Sequence, residues 1–252
     1  MAEGDPRFPD HHPIVRLGTV DSTQTVAFAL AEGGAADGTV VVATSQRAGR
    51  GRRGRVWFDE PGASLLFSLL VRPRLAPAQW PLLSLMTSVA VARALGQTAG
   101  LSAQLKWPND ILVDGRKVAG ILLESRFTPQ AVVIIGVGIN LAQTRFPADL
   151  QARAISVRQA SGRLVEPDRL LRAVLDEIDI WRTRLDGEGF RAIGIAWKGL
   201  SRTLGARVRV DGVRGRAVDL DDDGALVIDD GLTRHRVRAG ELMEESADAA
   251  RR

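Results

Sequence analysis

The chain of 252 residues contains no cysteine and no tyrosine, and only three histidines and three lysines. Without cysteine there are no disulfides, no thiolate metal ligands and no thiol nucleophile. The histidines, His11, His12 and His235, have no metal-ligand spacing, and the first two are expected to be solvated in a disordered leader over residues 1–13. Long apolar runs are also missing. Runs such as residues 131–135 and 65–70 fall far short of the ~20 residues that a membrane helix needs. Residues 1–13 are polar and proline-containing, without the apolar stretch of a secretory signal. These absences predict a cytoplasmic protein that does not engage membranes.

Charge of one type is scarce as well. Of 34 basic residues 31 are arginine, against 30 acids, for a net charge of +4. With no Tyr or Cys and three Lys, little titrates between about pH 7 and pH 10. The pI near 10.4 therefore follows from arginine usage and does not signal nucleic-acid binding.

What is present is concentrated. Five arginines (Arg47, Arg50, Arg52, Arg53, Arg55) alternate with three glycines (Gly49, Gly51, Gly54) between Gln46 and Trp57, with no acid among them. Subtracting those five from +4 leaves −1, so the positive excess sits in one loop. Glycine lets backbone approach a ligand closely, and guanidinium groups hold carboxylates and phosphates in forked geometry. A flexible RNA-binding tract would repeat over tens of residues with aromatics interleaved. This loop occurs once between two predicted strands, which favours a structured site for a small anion.

Lysine is retained at 106, 117 and 198. Lys106-Trp107-Pro108-Asn109-Asp110 opens a predicted strand pair, with Pro108 and Asn109 turning the chain and Asp110 offering oxygens. Asp114-Gly115 is a strong hairpin signal that sets 111–113 against 117–123 and brings Lys117 toward that turn. Lysine, aspartate and an arginine loop together suit nucleotide phosphates with Mg²⁺, which needs only one or two carboxylates. Lys198, between Trp197 and Gly199, reads as a surface residue.

The periodicities predict a helix after Asp21-Ser22-Thr23, strands over 39–44 and 64–71, and a long helix over 77–98. Strands follow over 102–107, 111–125 and 131–135, then helices over 167–185 and 190–198. Strands and helices do not alternate regularly, so the class is α+β. From about residue 203, short strands over 206–210, 216–220, 226–228 and 235–237 predict a small β-barrel over 203–245, with a tail over 246–252. Residues 14–202 would then form the main domain.

Two motifs are rejected. Gly136-Val137-Gly138 lacks the third glycine of a dinucleotide fingerprint, and no Walker A motif occurs. Asp219, Asp221, Asp223, Gly224 and Asp230 match EF-hand positions, but the flanks are β-patterned and an acidic hairpin explains them better.

Together the motifs resemble the biotin protein ligases over roughly residues 15–245. They come in family order: Asp21-Ser22-Thr23-Gln24, Gln46 with the Arg/Gly loop and Trp57, Lys106–Asp110, Lys117–Gly120 leading to Glu124, and Gly136–Asn140. Gln24 stands where the family usually has Asn, and Ala142 replaces a second Asn found in many members. The resemblance implies an α+β, mixed-sheet ligase domain with a small C-terminal SH3-like barrel. It implies activation of biotin by ATP and Mg²⁺ to biotinyl-5′-AMP, then transfer to a lysine of the biotin carboxyl carrier protein domain of acetyl-CoA carboxylase or a relative. Carried over by position, Ser22, Thr23, Gln24, Gln46 and backbone at Arg50, Gly51 and Arg52 would hold biotin. Arg52 would order the loop over the adenylate, and Lys117 would contact the biotin carboxylate and phosphate. Lys106, Asn109 and Asp110 would serve the nucleotide and metal, and Arg55, Trp57, Gly120, Gly138 and Asn140 would line the adenylate site. Many bacterial members carry a preceding DNA-binding domain. About 20 residues before Asp21 are fewer than the ~50 a domain needs, so a ligase without DNA binding is expected. The nearest rival is a lipoate-protein ligase; a non-catalytic arginine-loop nucleic-acid binder is the other.

Overall fold

β-branched runs and their turns build a seven-stranded sheet. The computed structural model describes residues 12–127 and 130–245. Its strands are β1 (Ile14–Val20), β2 (Val40–Gln46), β3 (Ser64–Val71), β4 (Gln104–Lys106), β5 (Asp110–Val113), β6 (Arg116–Arg126) and β7 (Val132–Asn140), in the order β1-β2-β3-β7-β6-β5-β4. β1 runs parallel to β2, and every other neighbouring pair is antiparallel. β1 has no counterpart in the sequence reading, because an edge strand with half its positions exposed carries a weak apolar signal.

Helix α1 (Thr23–Glu32) starts at Ser22, whose hydroxyl accepts the Gln24 N–H at 3.3 Å. It covers one end of one sheet face, setting Ala27 and Phe28 on Val41, Leu70, Val132 and Ile134. The opposite face is packed by α2 (Leu82–Ala99), while the short α3 (Ala148–Gln151) and α4 (Val157–Ser161) lie in the connection that follows β7. Behind α2 lie α5 (Pro167–Glu188) and α6 (Arg191–Gly199). The helix expected over 77–98 is interrupted. A 3₁₀ turn over Pro77–Gln79 precedes Pro81, and α2 begins only after that proline. The strand expected over 131–135 runs on through Gly136 and Gly138 to Asn140.

The C-terminal strands β8 (Arg207–Val210), β9 (Val213–Leu220), β10 (Leu226–Asp229), β11 (Arg234–Val237) and β12 (Leu242–Glu244) form an antiparallel sheet in the order β11-β10-β9-β8-β12. The edge strands β11 and β12 are not paired, so among the described residues the sheet is barrel-like but not closed. The hairpin reading of the acidic run holds: β9 and β10 flank it. Asp221 pairs with Arg236 and Asp223 with Arg236 and Arg238, and Asp230 accepts the N–H groups of Leu232 and Thr233.

Trp107 joins the two sheets. Its backbone N–H donates to Thr203 Oγ1 at 2.9 Å and its indole N–H to the Gly224 carbonyl at 3.3 Å. At 2% exposure it is core, and its peptide bond to Pro108 is cis. Lys198 is exposed, as expected of a surface residue, and binds Asp219 at 2.6 Å, tying α6 to β9.

The disordered leader expected over residues 1–13 does not extend to His12 and Pro13. Pro13 O accepts the Val40 N–H, and His12 packs between the Gly38 carbonyl (2.8 Å) and Asp179 (3.0 Å). His11, the rest of 1–11, and the tail 246–252 lie outside the described residues. Burial lowers the His12 pKa, but the hydrogen bonds to Asp179 and Gly38 and the charge of Asp179 outweigh it, so the pKa is raised above 6.5. The folded state thus holds a proton that the unfolded chain releases near its ordinary value. The stabilisation is complete below about pH 6.5 and is lost as pH rises through the raised folded pKa. Thermal melts should show the gap between wild type and His12→Ala larger at pH 5.5 than at pH 9. A pH-independent gap would refute the assignment.

Candidate functional site

Side-chain parity along β6 and β7 decides what faces the site. On β7, Ile135, Val137 and Ile139 enter the main core, so Gly136, Gly138 and Asn140 alternate onto the other face. The apolar contacts of α1 with β7 on that face stop at Ile134 and Val132. Beyond its N-terminus the face opens into a cavity of about 630 Å³.

The cavity floor is glycine because side chains already occupy the space. A Cβ at Gly136 would lie 2.8 Å from Gln24 Cδ, and one at Gly138 would lie 2.6 Å from Trp57 Cε2. Gly120, paired with Gly138 across β6–β7, would bring a Cβ to 3.0 Å from Trp57 Cζ3. Trp57 therefore lies flat on two neighbouring glycines. Its indole nitrogen is buried and has no hydrogen-bond partner among the described residues.

Lys117 reaches this floor because of a β-bulge. Asp110 pairs with Gly120 and Ile111 with Ala119, but Leu112 pairs with Lys117, leaving Val118 as the extra residue. Val118, Ala119 and Ile121 are core, whereas Gly120 and Leu122 line the cavity. Strict alternation would send Lys117 into the core with Ala119; the bulge turns it to the cavity. Its backbone is clamped to the 153–155 segment, N–H to Arg153 O at 2.7 Å and O to Ile155 N at 3.0 Å. Its ammonium lies 2.5 Å from Asp110 and 5.5 Å from the centroid of the Trp57 ring.

The biotin-side candidates form one network. Gln46 Oε1 accepts from Thr23 N (2.8 Å) and Thr23 Oγ1 (3.1 Å), while Ser68 donates to Thr23 Oγ1 at 2.8 Å. Gln24 Nε2 donates to the Leu122 carbonyl at 3.1 Å. These bonds orient the amides of Gln24 and Gln46 at the cavity wall beside Ser22.

The Arg/Gly loop closes the opposite wall. Gly51 N–H binds Arg55 O at 2.7 Å, Trp57 N–H binds Gly49 O at 3.0 Å, and Arg53 adopts φ +55°. Four of its arginines have protein carboxylates: Arg47 with Asp21 (3.7 Å), Arg50 with Glu124 (2.7 Å), Arg53 with Asp211 (2.7 Å) and Arg55 with Glu241. Arg52 is the exception. Its guanidinium donates to Asn109 Oδ1 at 3.3 Å, with no carboxylate within 4.0 Å among the described residues. Burial and then Arg53 lower its pKa below the ordinary arginine value, opposed by Asp110 and Asp211. The expectation of an anion-binding loop thus narrows to one guanidinium.

Every residue nominated from the sequence borders this cavity, including Lys106, whose ammonium lies 4.0 Å from Glu244. Asn140 borders the cavity and also has a structural contact. It is buried, and its amide nitrogen donates to Lys117 O (3.3 Å) and Ile155 O (3.2 Å), so it supports the Lys117 bulge. Arg50 and Arg55 likewise spend their charge on protein acids. Sequence reasoning missed Gly136, although two glycines spaced by two in a β-branched run imply one bare face. It also missed Asp211 and Glu241, for which no local signal exists. Among the described residues no three His, Asp or Glu side chains cluster as metal ligands. Asp110 is the carboxylate set between Lys117 and Asn109.

Comparison with known proteins agrees with this geometry. A model of the "Biotin/lipoate A/B protein ligase family" matches residues 17–140. The biotin–[acetyl-CoA-carboxylase] ligase of Paracoccus denitrificans is 37% identical over 240 residues, 90% of this chain and 98% of that protein. The bifunctional ligase/repressor BirA of Bacillus spizizenii is 36% identical over 86% of this chain and 69% of its own length. Among solved structures, the biotin protein ligase from Aquifex aeolicus in complex with biotin and ATP superposes with a TM-score of 0.83 at 28% identity, covering 93% of this chain and 99% of that one. The Leishmania major enzyme in complex with biotinyl-5-AMP gives 0.65 at 25% identity, over 93% and 99%.

Proposed function

The chain belongs to the biotin/lipoate A/B protein ligase family, and from that membership we propose that it activates biotin with ATP and transfers it to a carrier-protein lysine. The carboxylate oxygen of biotin attacks the ATP α-phosphorus and pyrophosphate leaves, forming biotinyl-5′-AMP. The acceptor's ε-amino nitrogen then attacks the acyl carbonyl and AMP leaves. No enzyme nucleophile is required, which suits a chain without cysteine.

One observation carries this reading: two cations, Arg52 and Lys117, converge on a cavity whose other loop arginines are already neutralised by protein acids. Both partners of the first step are anions, so a pre-set positive field has to offset their repulsion before attack. Lys117 suits the contact to the carboxylate and α-phosphate, and Arg52 suits the adenylate from above. Ser22, Thr23, Gln24 and Gln46 offer a polar wall for the ring end of biotin, over a floor of glycine. Lys106, Asn109 and Asp110 suit the nucleotide. Mg²⁺ bound mainly by substrate phosphates fits a single carboxylate such as Asp110 and would neutralise phosphate charge. The closed loop suits a second need: an acyl-adenylate hydrolyses if water reaches it. Residues 14–202 would supply this chemistry and 203–245 a small supporting domain. No helix among the described residues is long and apolar enough to cross a membrane, in keeping with a cytoplasmic enzyme.

Against the lipoate-ligase alternative, the resemblance to biotin ligases rests on the Arg/Gly loop together with the C-terminal sheet. Biotin-dependent ATP–pyrophosphate exchange should be robust and lipoate-dependent exchange absent. The reverse result would overturn the proposal.

A further inference from the structure

We infer that the solvent face of the C-terminal sheet is a docking surface for an acidic protein face, that of the acceptor domain. The assignment rests on the functional reading above. The inner face of this sheet carries Val208, Val210, Ala217, Leu226 and Ile228 into the core, so the intervening positions point to solvent. Four of these are arginines on two adjacent strands, and the register sets them directly opposite each other: Arg207 against Arg216 and Arg209 against Arg214.

Like charges opposed across strands destabilise a sheet. Local acids relieve little of it here. Arg214 has Glu245 at 3.7 Å, and Arg209 touches only Met243 Sδ at 3.1 Å. Arg207 and Arg216 have no carboxylate within 4.0 Å among the described residues, because Asp229, opposite Arg216, is engaged by Arg234 at 3.4 Å. The charge map drawn from sequence is therefore inverted. The loop that holds the excess arginines is largely paired, whereas a patch of four arginines with few acid partners lies some 150 residues further along the chain.

This field reaches the reaction cavity. β12 lines the cavity through Leu242, Met243 and Glu244 and pairs with β8. At about 5 Å per strand, the arginines of β8 and β9 lie within about 10 Å of the rim. The occupant has to present a lysine ammonium to a cavity that already holds Arg52, Lys117 and Lys106. Acidic residues flanking that lysine would meet this sheet first and offset the repulsion, steering encounter. A nucleic acid fits less well. Residues 203–245 contain no Phe, Trp or Tyr for base stacking, and Asp219 and Asp229 interrupt the face.

The test compares wild type with Arg207→Ala/Arg216→Ala and with Arg207→Glu/Arg209→Glu/Arg216→Glu, using a purified carboxyl carrier domain as acceptor. Biotin-dependent ATP–pyrophosphate exchange should stay within about twofold, because no variant residue borders the cavity. The Glu variant should lose at least about tenfold in kcat/KM for the acceptor, through KM and not kcat, and lose the salt dependence shown by wild type. The Ala pair should melt no lower than wild type, because it relieves repulsion, while still raising KM; this keeps the test valid if the Glu variant folds poorly. Unchanged acceptor kinetics with normal exchange would overturn the docking surface alone. So would loss of duplex DNA or RNA binding in the variants with transfer intact. Absence of biotin-dependent exchange in wild type would overturn the functional reading and this assignment with it.

Discussion

Lys117→Ala should lower biotin-dependent ATP–pyrophosphate exchange by about 10²–10³-fold or more, the range for losing one pre-organised charge from a site where charge develops. The size of the effect follows from how the ammonium is held. The bulge at Val118 turns it to the cavity, and Asn140 together with the 153–155 segment fixes the backbone that carries it. A water taking its place would reorganise with each turnover and contribute far less. Stability should change little, because the Lys117–Asp110 pair is about one-third exposed on both sides and such pairs contribute at most about 1 kcal/mol. The melting temperature thus separates a catalytic loss from a folding loss. Exchange within tenfold of wild type, in a protein that melts normally, would remove Lys117 from the proposed machinery.

Gly138→Val should abolish most activity by a different route. The new Cβ would sit 2.6 Å from Trp57 Cε2 and 2.8 Å from Cζ2, in the interior of the sheet, where backbone cannot yield. Trp57 has to leave its seat on Gly120 and Gly138, and the indole then fills the cavity. We expect exchange to fall at least about a hundredfold, as misplacement by about 1 Å can do, and stability to fall by about 1–3 kcal/mol from overpacking. Valine is itself a good strand former, so strand formation should survive. The double variant Gly138→Val/Trp57→Ala should recover much of the stability without recovering activity, a non-additive outcome that marks direct contact. Additive melting shifts would mean that the clash is relieved elsewhere.

Much of the fold was legible because its signals are local. The helix start at Ser22, the 64–71 strand and the Asp114-Gly115 hairpin each depend on neighbours within a few residues. β1 and β12 escaped notice because short edge strands carry little apolar pattern. Asn140 is expected from the family resemblance to line the adenylate site, yet its amide nitrogen is turned to the carbonyls of Lys117 and Ile155. A residue's neighbours in the chain report its address, not the direction of its side chain.

The sequence by itself determined the chemistry available. It supplied a cysteine-free set of cations and amides in an order that marks the family, and a loop in which five guanidinium groups crowd nine residues. Only the tertiary structure decided which of those charges are free to act. Arg53 meets Asp211 from 158 residues away, Arg55 meets Glu241 from the turn before β12, and of the five loop arginines Arg52 is left without a carboxylate partner among the described residues. One extra residue at Val118 decided that Lys117 joins it. Electrostatic neutralisation and strand parity are set by partners brought together in space, and neither distance is encoded in the spacing of residues along the chain.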